Sequence, residues 1–490
     1  MQNAPMSALL PDALLMAAVV VAWLNDTFVG QAGRRTTYLI SVFSTLIAGI
    51  WFGVLALDPT PHYFFTRMYI VDPFASVMKA VVSLGLTVAL IYSRKYLEDR
   101  DLYRGDYYLL AMFSLLGQLI MISGNNFLTL YLGLELMSLS LYAVIALRRD
   151  AAQSNEAAMK YYVLGALASG FLLYGISMIY GATGSLELGE VLKAVASGRI
   201  NDVVLLFGVI FIVAGVAFKM GAVPFHMWVP DVYQGAPTAM TLIVGGGPKV
   251  AAFAWGLRFL VMGLLPLAVD WQEMLIILAA LSLIVGNITG IVQRNVKRML
   301  AYSAISNMGF VLLGLLAGVV DGKTAAAANA YGSAMFYSIV YLVTTLGSFG
   351  VVMLLGRRDF EAETLDDFKG LNQRSPVFAF VMMVMMFSLA GIPPTVGFYS
   401  KLAVLEATMN AGLTWLAVLA VITSLFGAFY YLRIVKLMYF DEPQDTSVIA
   451  ADSSKRMLLA LNGIAVVVLG IVPGPLMSVC LQAISHTLPL

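Results

Sequence analysis

Fourteen stretches of about twenty residues each recur along this chain with few charges or none. Backbone in hydrocarbon must satisfy its own N–H and C=O groups, and only helices and closed barrels do so. Runs of this length without period-2 alternation are helices rather than barrel strands. They fall at 9–29, 36–57, 73–93, 106–124, 126–147, 157–181, 203–233, 238–263, 271–291, 297–318, 326–355, 377–410, 413–439 and 456–478, numbered here as spans 1 to 14. Only 12% of the 490 residues are charged, about half the share in a soluble chain. The expected fold class is therefore an all-α polytopic membrane protein, with no strand. The opening MQNAPMSALLPDALL lacks the basic start and cleavage site of a signal peptide, so the first run reads as a retained span.

Two scarcities limit the chemistry. The single cysteine, Cys480, excludes an internal disulfide and a protein-held iron–sulfur cluster. With only His62, His226 and His486, a bis-histidine haem is not expected. No phosphate-binding glycine motif follows a strand. The chain is expected to hold no cofactor or metal and to bind no nucleic acid. Its first partner is the lipid bilayer.

Loop charges set the expected orientation. Odd-numbered loops carry 17 lysines and arginines, among them Arg94, Arg148, Arg294, Arg298, Arg357 and Lys455. Even-numbered loops carry four: Arg67, Lys193, Arg199 and Lys323. Odd loops are expected to face the cytoplasm and both termini the periplasm. Segment 182–202 reads as a short amphipathic surface helix outside the membrane.

Spans 7 and 12 are longer than a bilayer needs, and both contain glycine and proline. Gly221 and Pro224 in span 7 precede Trp228; Gly391 and Pro394 in span 12 precede Phe398. Each is a G-x-x-P followed four residues later by an aromatic residue, so each reads as a broken helix. The five-span offset reverses membrane direction. Spans 4–8 and 9–13 are therefore expected to be inverted repeats, as in many transporters. The expected divisions are 1–105 (three helices), 106–263 (first repeat), 264–440 (second repeat) and 441–490 (a final helix).

Glu135, Lys219, Lys249 and Lys401 lie near mid-span or beside a break. Each central charge costs about 2.5–3.5 kcal/mol to insert, so four cost on the order of 10 kcal/mol, comparable to the stability of a whole domain. Such placement points to a task. Pro224 removes a backbone donor and frees groups of the preceding turn, and these must meet water or polar side chains. His226 titrates near neutrality and suits a proton relay; capping of free carbonyls is its other reading. Glu135 is the acid near the centre of a span in the first repeat, and it is paired with Lys219. For Lys160 the functional and structural readings are balanced. Lys79, Arg258, Arg433 and Lys436 read as snorkelling groups or structural ion pairs.

These same residues carry a resemblance. KMGAVPFHMWVPDVYQGAPT (219–238) resembles the broken-helix signature of the antiporter-like, proton-translocating subunits of respiratory NADH–quinone oxidoreductase, complex I. That family is shared with multi-subunit sodium/proton antiporters. KRMLAYSAISNMGF (297–310) and LAGIPPTVGFYSKL (389–402) resemble two further signatures, and the similarity spans roughly 106–440. Length and a lysine after the second break resemble one branch, in which Lys160 also matches a span 6 lysine. The resemblance implies relay roles for Glu135, Lys219, His226, Lys249 and Lys401. Where the family often has histidine in span 10, this chain has Asn307, an amide that can still order water. The resemblance also implies partners: an antiporter-like neighbour, small membrane subunits, and subunits holding flavin, iron–sulfur clusters and quinone. It places the chain in a bacterial inner membrane.

The function expected is proton translocation driven by redox chemistry elsewhere. Protons would enter near Lys219, pass by water and His226 to Lys249, and leave through Lys401, with Glu135 coupling to a neighbour. A subunit of a cation/proton antiporter is the alternative, and a scaffold whose charges only hold subunits together is a third reading.

Overall fold

The computed structural model describes residues 5–198, 202–320, 324, 326–358, 360–445, 447, 449 and 453–488. Within them, 13 helices are long and apolar enough to cross a membrane. One further span consists of two 15-residue halves, Pro376–Ala390 and Val396–Asn410, so fourteen crossings stand. Arg199 and Lys323, two of the four basic residues in the even loops, lie outside the described residues.

Spans 8, 10 and 11 form the centre: the windows within Thr238–Gly263, Val296–Leu316 and Ala327–Leu355 are each 94% buried. The rim spans, such as Met6–Val29 and Ser454–Ile471, leave most of their apolar side chains exposed, as lipid-facing helices do. A lipid solvent removes any need to hide them.

The two repeats are recognisable by their ties. In the first, the Phe127 amide donates to the Leu186 carbonyl at 2.9 Å, and the Leu188 amide to the Asn125 carbonyl at 3.2 Å. In the second, the Val296 amide donates to the Glu363 carbonyl at 2.6 Å, and the Leu365 amide to the Arg294 carbonyl at 3.0 Å. Both ladders flank an asparagine, Asn126 or Asn295, whose side chain caps the helix that follows. A cap of this kind satisfies an amide the helix cannot. The start of span 5 is thus bound to the loop after span 6, and the start of span 10 to the loop after span 11. Five crossings lie between them, so the two ties sit on opposite membrane faces.

Both long spans are broken. Span 7 is Asp202–Met220 followed by Trp228–Gly235. The break residues Gly221 (φ +73°) and Gly391 (φ +82°) take left-handed backbone that side chains disfavour. Each break also holds a cis X–Pro bond, at Pro224 and Pro394.

Three sequence-based expectations need correction. Strands occur: His62–Phe64 pairs antiparallel with Tyr69–Val71 between spans 2 and 3. The hairpin turns through three positive-φ residues, Phe65, Thr66 and Arg67, and is too short to register as periodicity. Span 8 is not continuous. It divides into Thr238–Gly245 and Gly247–Leu257, because Pro248 supplies no amide and side chains crowd the glycines. A Cβ at 245 would meet the Tyr233 hydroxyl at 2.7 Å, and one at 247 the Gln118 amide oxygen at 2.5 Å. Span 14 ends at Ile471, and Gly474–Ser485 is a separate helix after Pro473. The amphipathic helix does form, at Leu188–Ala196, burying Leu188, Val191 and Val195.

The outer pairs hold the first three spans to the rest. Lys79 reaches Asp12 at 3.1 Å and the Tyr69 hydroxyl at 2.7 Å. Arg258 on span 8 reaches Asp72 at 2.8 Å, with both side chains fully buried, and donates to the Ile122 carbonyl. Asp72 also caps span 3 through the Ala75 amide at 2.7 Å. Replacing Asp72 by Ala leaves a buried guanidinium without its counter-charge, a loss of about 3–5 kcal/mol. Thermal unfolding of the detergent-purified protein should show a large drop for Asp72→Ala. Glu190→Ala, in an exposed pair with Lys193, should change stability by less than about 1 kcal/mol. Equal melting temperatures for the two variants would contradict the tie.

Candidate functional site

Lys219 ends the first half of span 7, buried against spans 5 and 6. Its ammonium donates to the Ser138 hydroxyl at 2.9 Å and the Tyr161 hydroxyl at 3.1 Å. Gly165, Ala168 and Ser169, mid-helix residues of the 32-residue helix Ala152–Thr183, line the cavity beside it. Glu135 lines that cavity too, and its carboxylate accepts from Ser169. The cavity holds about 10 Å³, close to the minimum for one water. Among the described residues Lys219 and Glu135 share a cavity without a direct ion pair; Ser138, one turn beyond Glu135, accepts from the ammonium.

Lys249 begins the second part of span 8 and points at the break in span 7. Its ammonium donates to the Met220 carbonyl at 2.7 Å, the last carbonyl of the first half-helix. It also lies over the Trp228 ring at 4.8 Å, and Trp228 stacks on Tyr161 at 4.4 Å. Lys401 repeats this arrangement in span 12. Its ammonium donates to the Leu389 and Ala390 carbonyls, both at 3.0 Å, and to the Ser424 hydroxyl at 2.7 Å. Helix ends carry unsatisfied carbonyls and partial negative charge, so each lysine neutralises a break with its own charge. Although Lys401 stands ten residues beyond Gly391, its side chain folds back to the break.

His226 lies within the first break, half-buried, and its Nδ1 makes no hydrogen bond to protein. Lys160 stands apart from the others. It pairs with Glu156 and Asp231, each at 2.8 Å, and Asp231 also accepts from Arg298 at 2.7 Å. This cluster lines an open polar cavity of about 170 Å³ near the basic-loop face, with Gln153 and Gln234.

Partner type separates the buried cations into two kinds. Lys79, Arg258, Arg100 and Lys297 each touch a carboxylate, at 3.1, 2.8, 2.7 and 2.5 Å. Lys219, Lys249 and Lys401 donate to hydroxyls and carbonyls. A carboxylate in contact favours the charged form of a lysine; neutral oxygens supply no counter-charge. Groups so arranged can take up and release protons.

Ser138, Tyr161 and Ser424 were not evident from sequence, since hydroxyl residues are common in spans. One signal was present for Ser138. It lies twelve residues after the capping Asn126, as Asn307 does after Asn295. The same alignment places Ala304 opposite Glu135, so the acid belongs to the first repeat alone.

Residues 124–427 match the family model described as NADH:quinone oxidoreductase/Mrp antiporter, TM. The chain is 87% identical over 492 residues to NADH-quinone oxidoreductase subunit N of Paraburkholderia phymatum, with 100% of both chains covered. It is 60% identical over 487 residues to subunit N of Cupriavidus taiwanensis, covering 99% of each. A chain in the structure of respiratory complex I from Thermus thermophilus with bound aureothin aligns with a TM-score of 0.81 at 30% identity, covering 96% of this chain and 98% of that one. A chain of the Mrp complex from Dietzia sp. shares the fold, with a TM-score of 0.85 at 17% identity over 98% and 97% of the two chains.

The break glycines can be tested against a matched control. Gly412 has φ +79° and open space around it, whereas a Cβ at Gly391 would meet Lys401 Cδ at 2.8 Å and one at Gly221 would meet Lys249 Nζ at 2.8 Å. Gly412→Ala should cost about 1–2 kcal/mol from backbone alone. Gly221→Ala and Gly391→Ala should lower the melting temperature further, because a lysine must leave its carbonyls. If all three fall equally, the lysines are not seated against the breaks.

Proposed function

The chain belongs to the NADH:quinone oxidoreductase/Mrp antiporter transmembrane family, and we propose that it works as subunit N of an NADH–quinone oxidoreductase, moving protons across a bacterial inner membrane. The observation that carries this reading is the set of three lysines, Lys219, Lys249 and Lys401, held by neutral oxygens at or beside broken helices.

In this reading the odd loops face the cytoplasm and both termini face the periplasm. Protons reach Lys219 from the cytoplasmic side. The Lys160–Asp231–Arg298 cluster holds the second half of span 7 against span 6 on that side. Lys219 gives its proton through water to Lys249, whose ammonium sits across the same break, beside Trp228. His226, with a free ring nitrogen, adds a relay group at the break. Lys401 is the last lysine of the chain's own path. Glu135 tunes Lys219 through space: a neighbour that attracts or repels its carboxylate alters the field at the ammonium without breaking a contact. The chain supplies no redox site; flavin, iron–sulfur clusters and quinone belong to partner subunits.

The breaks also argue for neighbours. Pro224, Met227, Pro393 and Pro394 are exposed on the flank of the chain. Irregular backbone at membrane depth does not face lipid; it is covered by protein or lines a wet cavity. We assign the covering role to other membrane subunits, an antiporter-like one among them.

Lys249→Ala, assayed in the intact complex in liposomes, should lower NADH-driven proton pumping by roughly a hundredfold, the low end of what a positioned acid or base contributes. Assembly should persist, since Met220 loses one partner only. Lys193→Ala, on the exposed surface helix, should pump normally. An assembled Lys249→Ala complex that pumps at the wild-type rate rejects the role. Purification with flavin-bearing and iron–sulfur subunits separates this function from that of a cation/proton antiporter, which lacks them.

A further inference from the structure

The second repeat contains a buried run of hydrogen-bonded and ring-stacked side chains that the proposed path does not use. Near the basic-loop end of span 9, the Asn287 side-chain oxygen accepts from the Tyr430 hydroxyl at 3.3 Å. Tyr430 and Tyr431 lie with ring centroids 4.3 Å apart. The Tyr431 and Ser303 hydroxyls are 2.5 Å apart. Asn307 Nδ2 donates to the Ser303 hydroxyl at 3.2 Å, and Tyr337 donates to Asn307 Oδ1 at 2.6 Å. The Tyr337 ring stacks on Phe310, which lies 5.1 Å from the Lys401 ammonium. Four helices thus supply polar groups that step from the basic-loop side to the neighbourhood of Lys401, all of them buried.

A hydroxyl passes a proton by accepting one on its oxygen and releasing its own. A carboxamide does not do so readily. Asn307 would have to accept a proton on Oδ1 and release one from Nδ2, leaving an imidic acid that must then revert. Its orientation is fixed, because Nδ2 also donates to the Ser303 carbonyl at 2.8 Å. Among the described residues the hydrogen-bonded link between the tyrosine–serine run and Tyr337 is therefore this amide, and the face of Phe310 follows it. A pump needs such a stop: a lysine open to both sides at once would dissipate the gradient.

We infer that Asn307 is a proton seal, joining the polar groups of the second repeat while blocking proton transfer between Lys401 and the basic-loop face. The inference rests on the proton-moving function proposed above. Histidine in this place would remove the amide from the block and leave only the face of Phe310, since an imidazole accepts a proton at one nitrogen and releases one from the other.

The test uses the intact complex in liposomes, with a potassium diffusion potential driving passive proton entry and a pH-sensitive dye as readout. Asn307→His should raise the passive leak severalfold and lower the protons pumped per NADH. Asn307→Gln, which keeps the amide, should stay near wild type. Ser303→Ala and Tyr431→Phe, on the far side of the seal, should leave pumping unchanged. Wild-type leak and stoichiometry in an assembled Asn307→His complex would overturn the seal. A loss of pumping in Ser303→Ala and Tyr431→Phe would overturn it as well, by showing that the chain conducts; these two variants decide the matter if Asn307→His does not assemble. Lys249→Ala serves as the reference: if it pumps normally, the proposed function fails, whereas a failure confined to the Asn307, Ser303 and Tyr431 variants rejects the seal alone.

Discussion

An ammonium group inside a bilayer persists only where oxygen atoms surround it, and this fold breaks two helices to provide them. The C-terminal carbonyls of a half-helix are polar, fixed and slightly negative. Lys249 takes the Met220 carbonyl, and Lys401 takes those of Leu389 and Ala390. The dependence is mutual. Without the lysines, the carbonyls would be buried or lipid-facing without partners, at about 1–3 kcal/mol each. Without the breaks, Lys249 would lose the Met220 carbonyl and Lys401 those of Leu389 and Ala390. The left-handed glycines, the prolines and the central burial of spans 8, 10 and 11 all serve this exchange.

Much of this was legible in the residues. Long apolar runs dictate helices, and the glycines and prolines of spans 7 and 12 mark their breaks, because each residue type acts on the backbone locally. The candidate lysines stand out for the same reason: charge amid apolar sequence needs no tertiary information to notice. What sequence reasoning missed depends on contacts between distant segments. That Lys249 serves the break in span 7, rather than one in its own span, follows from how spans 7 and 8 pack. That Lys219 donates to Ser138 rather than to Glu135 follows from the rotation of one helix. The break at Gly246 was open to reading in the GGGP run, yet the apolar pattern continues through it and hides the interruption. The hairpin at 62–71 is set by a turn of three positive-φ residues, which no hydropathy pattern reveals.

Charge location alone does not separate function from structure here. Lys79 and Arg258 are as buried as Lys249, yet each is held by a carboxylate. They bind spans 1, 3 and 8 together. Lys219, Lys249 and Lys401 are distinguished by the lack of such contact among the described residues, a property of packing rather than of sequence. In the proposed mechanism this lets Glu135 act on Lys219 from a short distance, since a field can be changed without dismantling a salt bridge.

The account stands on one claim, that lysines seated on neutral oxygens change protonation during turnover while carboxylate-held cations do not. Isotope-edited infrared difference spectroscopy addresses it directly, using the intact complex with 15N-lysine in this subunit and NADH as the trigger. The account predicts a reversible loss and return of lysine ammonium bands during turnover, diminished when Lys219, Lys249 and Lys401 are replaced and retained when Lys79 is replaced. Ammonium bands that stay constant through turnover would contradict it.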